Sequence, residues 1–337
     1  MGKALVTGAS GLLGTHILFE LAKNEQSCLA VYRNENKLKT VEQVFRFYGK
    51  EKFEELWQKI TWIKGDLTSL SFLDDLFQEE FSEIYHASAM VSFFKTDFEN
   101  CLRQNREVTA DLVNYSLRKG VRKFGYVSST AAIGKNKNLP STEKDLFVHD
   151  PSNSGYAISK YGAEKEVWRG IEEGLNAVIV NPCLIIGAGD WRESSMTILR
   201  TVERGLQFYP SGSNAVVDAR DVASVLFQLM QSDLHSERYL CIGENLKFQT
   251  LFTEIAQQLN KKPPHRKVPY RLSLIYAWYN EWRVRLGGKK GGLTMESVRS
   301  SYKESAFSAE KVEKQLGYKF KTAKEMIENA IAFRRMK

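Results

Sequence analysis

Short unbroken apolar runs alternate, through the first half of the chain, with longer stretches whose apolar residues recur at helical spacing. The runs at 4–6, 28–32, 60–64, 83–87, 123–127 and 177–181 read as strands, the first of them buried. Between them, Leu13, Ile17, Leu18 and Leu21 mark a first helix. Val41, Val44, Phe45, Phe53, Leu56 and Trp57 mark a charged amphipathic helix over 36–59. Val108, Leu112, Val113 and Leu117 lie in a long helix over 97–119 that Gly120 ends, and another helix covers 154–174, closed by Gly174. After Pro182 the alternation blurs. Residues 187–215 are rich in glycine, proline and serine and suit the lining of a pocket, with Trp191, Phe208 and Tyr209 as apolar contacts. Val216 and Val217 lead into a helix opened by Asp218 or Asp221, 239–242 is a seventh strand, and the remainder is mostly helical. The pattern predicts an α/β fold: a doubly wound parallel-sheet Rossmann domain (1–181 plus 216–242) with a smaller, mostly helical C-terminal substrate lobe (182–215 plus 243–337).

The first strand feeds the first helix through a turn with Gly8, Gly11 and Gly14. Gly8 allows the tight turn, Gly11 lets backbone approach a bound pyrophosphate, and Gly14 lets helix pack on strand. The helix N-terminus offers unpaired N–H groups and a positive dipole end to the phosphates. A glycine triplet alone is a weak signal, but its place between a strand and a helix at the head of a long α/β pattern points to a dinucleotide. An NAD site puts an acid at the end of the second strand for the ribose hydroxyls. Here Tyr32 and Arg33 stand there, and no carboxylate follows until Glu35. An arginine suits a 2′-phosphate, with Lys37 to assist, so NADP(H) is favoured and NAD(H) is the alternative. Asp66 either accepts from the adenine amino group or caps the helix that starts near Ser69. His86, among apolar strand neighbours, reads as structural.

The remaining composition narrows the class. A chain of 337 residues can bury a sizeable core. The net charge of +8 is mild, and the basic residues read as spread along the chain with small clusters at Lys261-Lys262 and Lys289-Lys290, which suits anionic nucleotides better than a nucleic acid. Cys28, Cys101, Cys183 and Cys241 are far apart and read as buried reduced thiols, with no metal set. No apolar run approaches a membrane span and no leader precedes the first strand, so a cytoplasmic location is expected. The segment 272–290 is aromatic and basic. A core helix with a solvated basic end accounts for it more simply than a peripheral membrane contact.

The pair that carries chemistry is Tyr156 and Lys160. On a helix, residues four apart share a face. A phenol titrates too high for easy proton exchange at neutral pH, and a neighbouring ammonium is expected to lower it, making an acid/base. Taken together, Val6-Thr7-Gly8-Ala9-Ser10-Gly11-Leu12-Leu13-Gly14, Gly65-Asp66-Leu67, His86-Ala87-Ser88-Ala89, Ser128-Ser129, Tyr156-x-x-x-Lys160, Asn181-Pro182 and Val217-Asp218-Ala219-Arg220-Asp221-Val222-Ala223 resemble the extended short-chain dehydrogenase/reductases, the NAD-dependent epimerase/dehydratase family, and most of all its dihydroflavonol-4-reductase-like branch.

The resemblance covers nearly the whole chain. It implies that Tyr156 exchanges the proton, Lys160 holds the nicotinamide ribose and Ser129 polarises the substrate carbonyl, with Ser128 and Thr130 as its nearest competitors. Asn105 matches the helix asparagine that positions the lysine through water. The dinucleotide would be held by Gly8, Ser10, Gly11, Leu12, Leu13 and Gly14, by Arg33, Asp66 and Leu67, by Ala87, Ser88 and Ala89, and by Tyr156, Lys160 and Pro182. Two departures stand out. Asn181 occupies a position that often carries arginine, and Ala131 and Ala132 replace the Asp-Glu pair of sugar 4,6-dehydratases, which sets dehydration aside. The expected activity is NADP(H)-dependent reduction of an aldehyde or ketone to an alcohol. The alternatives are a nucleotide-sugar epimerase with tightly held NAD and a non-catalytic dinucleotide sensor. A homodimer built on the helices of Asn105 and Tyr156 is also implied.

Overall fold

A computed structural model of the chain describes residues 2–134, 140–151 and 153–336. The apolar runs pair edge to edge as β1 (Ala4–Thr7), β2 (Cys28–Tyr32), β3 (Ile60–Lys64), β4 (Glu83–His86), β5 (Lys123–Val127) and β6 (Ala177–Pro182). With β10 (Glu237–Cys241) they form a seven-stranded sheet in the order β10-β6-β5-β4-β1-β2-β3, with every pairing parallel. Successive side chains alternate across it. Ala4, Val6, Ala30, Val178 and Val180 pack on one face beneath α1 (Leu12–Lys23) and α9 (Ala219–Gln231). Leu5, Leu29, Ile84, Phe124 and Ile179 pack on the other beneath α4 (Leu70–Leu76), α6 (Val108–Lys119) and α7 (Gly155–Glu172). This is the doubly wound Rossmann arrangement.

Two expected helices differ in detail. Gly49 ends α2 (Leu38–Gly49), and Lys50, at φ +47°, starts a separate turn before α3 (Phe53–Trp57). The helix over 97–119 is interrupted: a π-helical turn, Leu102–Glu107, stands between α5 (Phe98–Cys101) and α6. Such a bulge costs regular hydrogen bonding and is frequent at functional sites. In α7, Ser154 accepts at 3.0 Å from the Ala157 N–H and so sets the helix start.

Residues 187–215 are more ordered than their composition suggests, since they hold α8 (Thr197–Glu203), β8 (Phe208–Tyr209) and the start of β9 (Ser213–Asp218). With β7 (Leu184–Ile186) and β11 (Glu244–Lys247), β9 forms a small sheet ordered β11-β9-β7. The C-terminal region is largely helical: α10 (Phe248–Gln258), α11 (Tyr270–Arg285), α12 (Met295–Ser301), α13 (Glu310–Leu316) and α14 (Ala323–Arg335), with β12 (Arg266–Lys267) paired to β8. Its core joins Leu251 and Ile255 of α10 to Met326 and Ile327 of α14, Leu199 of α8 and Trp191. Trp191 is 1% exposed, so it is core and not the pocket contact expected of it. Phe208 is exposed and Tyr209 half-buried.

Candidate active site

The C-terminal ends of β1, β4, β5 and β6 open onto one edge of the sheet, where strand order reverses between β1 and β4 and a crevice is expected. Gly8 leaves β1 at φ +66°, and a Cβ there would lie 2.6 Å from the Ser88 nitrogen. A Cβ on Gly14 would lie 2.1 Å from the Gly8 carbonyl oxygen, so the close approach is of the helix to the turn itself. At Gly11 a Cβ would meet only that same oxygen, at 3.2 Å. The backbone above Gly11 is therefore open on the side a ligand would use. Gly11 also caps α1 with no side-chain hydrogen bond, which leaves its first-turn N–H groups to an anion. The closed contacts at Gly8 and Gly14 and the open one at Gly11 fit a pyrophosphate. Ser10 and Leu12 flank it half-buried, and Leu13 points inward.

Past β2, Arg33 is exposed and donates to the Gln104 side chain at 3.3 Å. Asp66 accepts from the Thr68 N–H at 3.0 Å and from its hydroxyl at 2.9 Å. It closes a turn, whereas Ser69 caps α4 by accepting from Phe72 at 3.3 Å. These Thr68 bonds first, then Arg33 and Arg103, hold the Asp66 carboxyl below its ordinary range. Arg103, in the π turn, is a second guanidinium at this corner that sequence reasoning did not single out. Lys37 does not serve the corner, since it pairs with Glu193 at 2.6 Å. Leu67 is buried, and the small residues Ala87, Ser88 and Ala89 follow β4.

Ser129, just past β5, is half-buried; its hydroxyl accepts from the Ala131 N–H at 3.1 Å and faces the half-buried Tyr156. Ser128 is spoken for: its hydroxyl donates to Glu164 at 2.6 Å in the core. Lys160, 1% exposed, donates to the Tyr126 hydroxyl at 2.8 Å and to the Val127 carbonyl at 2.7 Å. Burial pushes the ammonium down to about 7, against the field of Glu164 one turn on. Tyr156 shifts up, because loss of water outweighs the Ser129 bond. The expected lowering by Lys160 is therefore not what the protein alone supplies, since the lysine is turned to Tyr126.

Asn105 sits in the π turn, buried, and acts as a clamp. Its amide oxygen accepts from the Met90 N–H at 2.7 Å, and its NH₂ donates to the Met90 carbonyl at 3.0 Å and to Ser159 at 2.9 Å. It ties the segment after β4 to α7. Beneath it, Thr109 donates to the Asn105 carbonyl at 2.5 Å, so it must accept from His86 Nε2 at 2.9 Å, and His86 Nδ1 then accepts from Thr7 at 2.6 Å. Burial pushes this imidazole down to about 3. His86 is structural.

A second buried network lies below Ser129. Glu164 accepts from Asn181 at 2.7 Å and from Arg238 at 3.0 Å. Asn181 also donates to the Ser129 carbonyl at 3.1 Å, and Arg238 reaches the Glu143 and Asp145 carbonyls. Asn181, Glu164 and Arg238 thus fix Ser129 and the turn at Glu143 and Asp145. Pro182 ends β6 beside them.

Comparison with known proteins follows the same lines. The model of the NAD dependent epimerase/dehydratase family matches residues 4–241. The chain belongs to that family. A putative dihydroflavonol 4-reductase of Synechocystis is 26% identical over 335 residues, 97% of this chain and 92% of that one. The sterol demethylase protein B of Methylococcus capsulatus is 27% identical, over 80% of this chain and 78% of its own. The crystal structure of gox2253 superposes with a TM-score of 0.80 at 27% identity, covering 100% of this chain and 98% of that one. Further solved structures, at 14–19% identity, share the fold; their bound groups include NAD, UDP-glucose and NADPH.

As a member of the family the protein is an NAD(P)-dependent short-chain dehydrogenase/reductase enzyme, an oxidoreductase or epimerase. Among the described residues, no group of three or more His, Cys, Asp or Glu could hold a metal. The four cysteines are free thiols, and burial pushes Cys28 up to about 12. Among the described residues, no helix is long and apolar enough to cross a membrane.

Proposed function

We propose that the protein is an NADP(H)-dependent carbonyl reductase of the dihydroflavonol-4-reductase-like branch. The observation that carries this reading is the placement of Tyr156: a phenol beside Ser129 at the end of β5 and one turn from Lys160 on α7, protonated at neutral pH as a donor in reduction must be. When bound, the dinucleotide supplies the hydride. Negative charge then grows on the substrate oxygen. Ser129 donates a hydrogen bond to that oxygen, and Tyr156 gives it a proton. Lys160, with two donors engaged, keeps a third N–H for a ribose hydroxyl, and its charge steadies the phenolate left behind. Asn105 keeps the segment after β4 and the helix of Tyr156 in register. Arg33 and Arg103 offer positive charge for a 2′-phosphate, and no carboxylate takes the ribose position at the end of β2.

The names of the relatives support a ring-shaped apolar substrate, since one is called a dihydroflavonol reductase and another a sterol demethylase protein. A second reading is a nucleotide-sugar epimerase. It is favoured by the solved neighbours, which carry NAD more often than NADPH and include complexes with UDP-glucose. It would use the same Tyr156, first as a base. Purification followed by release and identification of bound dinucleotide separates the two. Exchangeable NADP(H), with NADPH oxidation across a carbonyl panel, supports the reductase; NAD that survives gel filtration supports the epimerase. No turnover on either panel returns the sensor reading.

A further inference from the structure

The helix α11 is built inside out. Its buried positions are Ser273, Ala277 and Asn280, small or polar residues at helical spacing. Ser273 bonds Tyr302 at 2.7 Å, and Asn280 holds the Gly291 and Leu293 carbonyls at 2.7 and 2.9 Å. These contacts fasten one side of the helix to α12 and its neighbours. The opposite side carries Leu272, Ile275, Tyr276, Tyr279, Trp282 and Leu286, all exposed, with Ile275 63% and Leu286 67% open to solvent. Spacings of three and four place them on one stripe. The core helix expected from the sequence is therefore corrected: the large apolar residues face outward, and none of the described residues covers them. A continuous patch of this kind on a soluble domain marks an interaction surface.

Charge says what covers it. Between residues 261 and 290 there are nine lysines and arginines and one acid, Glu281. That excess equals the +8 of the whole chain, so the rest of the molecule carries as many acids as bases. Most basic residues are spread along the chain, as composition suggested, but acids balance them there; the excess lies in this one segment. Lys267, Arg271, Arg285 and Lys289 are exposed around the stripe.

We propose that α11 is a membrane-docking helix, which lays its aromatic and aliphatic stripe into the interface of an anionic lipid bilayer while the flanking lysines and arginines meet the headgroups. A helix of this make-up, with Trp and Leu on one face and basic residues beside them, lies in the interfacial plane. Two copies of this chain meeting on the stripe would bring their excess positive charge together. A nucleic acid would meet aliphatic Leu272, Ile275 and Leu286, which neither stack on bases nor hydrogen-bond them. The docked face adjoins the candidate site: a cleft of about 220 Å³ runs from Trp278, Trp282 and Arg285 to Lys95, and Glu296 of α12 accepts at 3.2 Å from the Gly155 N–H, next to Tyr156. The inference does not depend on carbonyl reduction, and binding is read without turnover.

The test is co-sedimentation of the full chain with vesicles of phosphatidylcholine, alone or with about one-third phosphatidylglycerol. Binding is expected to the anionic vesicles at low salt, to fall steeply as salt rises, and to be weak on neutral ones. Each basic residue near such a surface strengthens partition about fivefold, so Lys267→Gln with Arg271→Gln should weaken it roughly twenty-five-fold. Leu272→Ser with Ile275→Ser should weaken it at least about tenfold, with the melting temperature unchanged or raised. No binding to anionic vesicles at low salt overturns the proposal, as does binding that both variants retain. Tighter association with an oligonucleotide than with vesicles overturns it too, as does a dimer in sedimentation velocity that Leu272→Ser with Ile275→Ser dissolves.

Discussion

Glu164→Gln separates the electrical role of the layer beneath the site from its mechanical one. The carboxylate is buried, one turn after Lys160 on α7 and paired with Arg238 at 3.0 Å. Neighbours at that spacing lie about 5–6 Å apart. At an effective dielectric constant near 20, unit charges at about 6 Å interact by roughly 3 kcal/mol, or about two pKa units. Arg238, on the same carboxylate, offsets something like half, which leaves about one unit of support for the Lys160 ammonium. Lys160 titrates at about 7, below its ordinary value, so its charge is lost as pH rises through that point. If the charged form is the active one, kcat/KM at limiting NADPH falls above about pH 7, and in Glu164→Gln the fall begins about one unit lower. Arg238 and Trp168 donate to one carboxylate oxygen and Ser128 and Asn181 to the other, so the variant puts its NH₂ against one of these two pairs and leaves Arg238 without its counter-charge, at a stability cost of about 3–5 kcal/mol, measurable as a lower urea midpoint. Glu164→Asp should keep the wild-type limb. A folded Glu164→Gln enzyme with an unmoved limb would refute the reasoning, and a limb moved upward would reverse its sign.

Four other outcomes are expected. Tyr156→Phe should lower turnover at least about a hundredfold while the Kd for the dinucleotide changes little, and unchanged turnover removes Tyr156 from the mechanism. Arg33→Ser should reduce the preference for NADP over NAD at least about tenfold, by loss of a charge-assisted bond to the 2′-phosphate, as read from the ratio of kcat/KM values. Gly14→Ala places a Cβ 2.1 Å from the Gly8 oxygen, so the turn must open; the rise in melting temperature on adding dinucleotide should disappear. His86, at about 3 in the fold against an ordinary 6.5, stays neutral while the unfolded chain takes up a proton, so stability falls by about 1.4 kcal/mol per pH unit from 6.5 toward 3. His86→Asn should remove that slope in urea titrations, and an unchanged slope would assign it to other groups.

What could be read from residue order was local. The runs that became β1, β2 and β6 were legible because strands buried inside a sheet are mostly apolar, whereas β3, at the sheet edge, keeps Thr61 and Lys64 exposed; the turn at Gly8–Gly14 was legible because its glycines are spaced by backbone geometry. The phenol and the amine were legible because four residues make one helical turn. Arg238 was not, since it lies 74 positions from Glu164 and reaches it only through the adjacency of β10 and β6. The choice between Ser128 and Ser129 also waited on the fold, because neighbours on an extended chain point opposite ways and only packing tells which way is inward. In α11 the signal was present but lay in the small residues. Ser273, Ala277 and Asn280, not the aromatics, mark the side that packs.

The helix α7 then explains why one face serves both chemistry and support. Tyr156, Lys160 and Glu164 follow at intervals of four and run from the half-open mouth into the core. A polar group needs more partners the further it is taken from water. Tyr156 has Ser129; Lys160 has Tyr126 and Val127; Glu164 has Ser128, Asn181, Arg238 and Trp168. Substitutions along this face should change in kind with depth. At Tyr156 the loss is of turnover with little loss of stability. At Glu164 it is of stability and of the pH limb, because an uncompensated Arg238 remains. Lys160→Met falls between them: it removes a charge that burial already disfavours, so the protein should be no less stable in urea while dinucleotide binding and turnover both fail. A Lys160→Met protein markedly less stable than the parent would mean that the ammonium is there to hold the fold, and that the gradient along α7 is not what sets the division of labour.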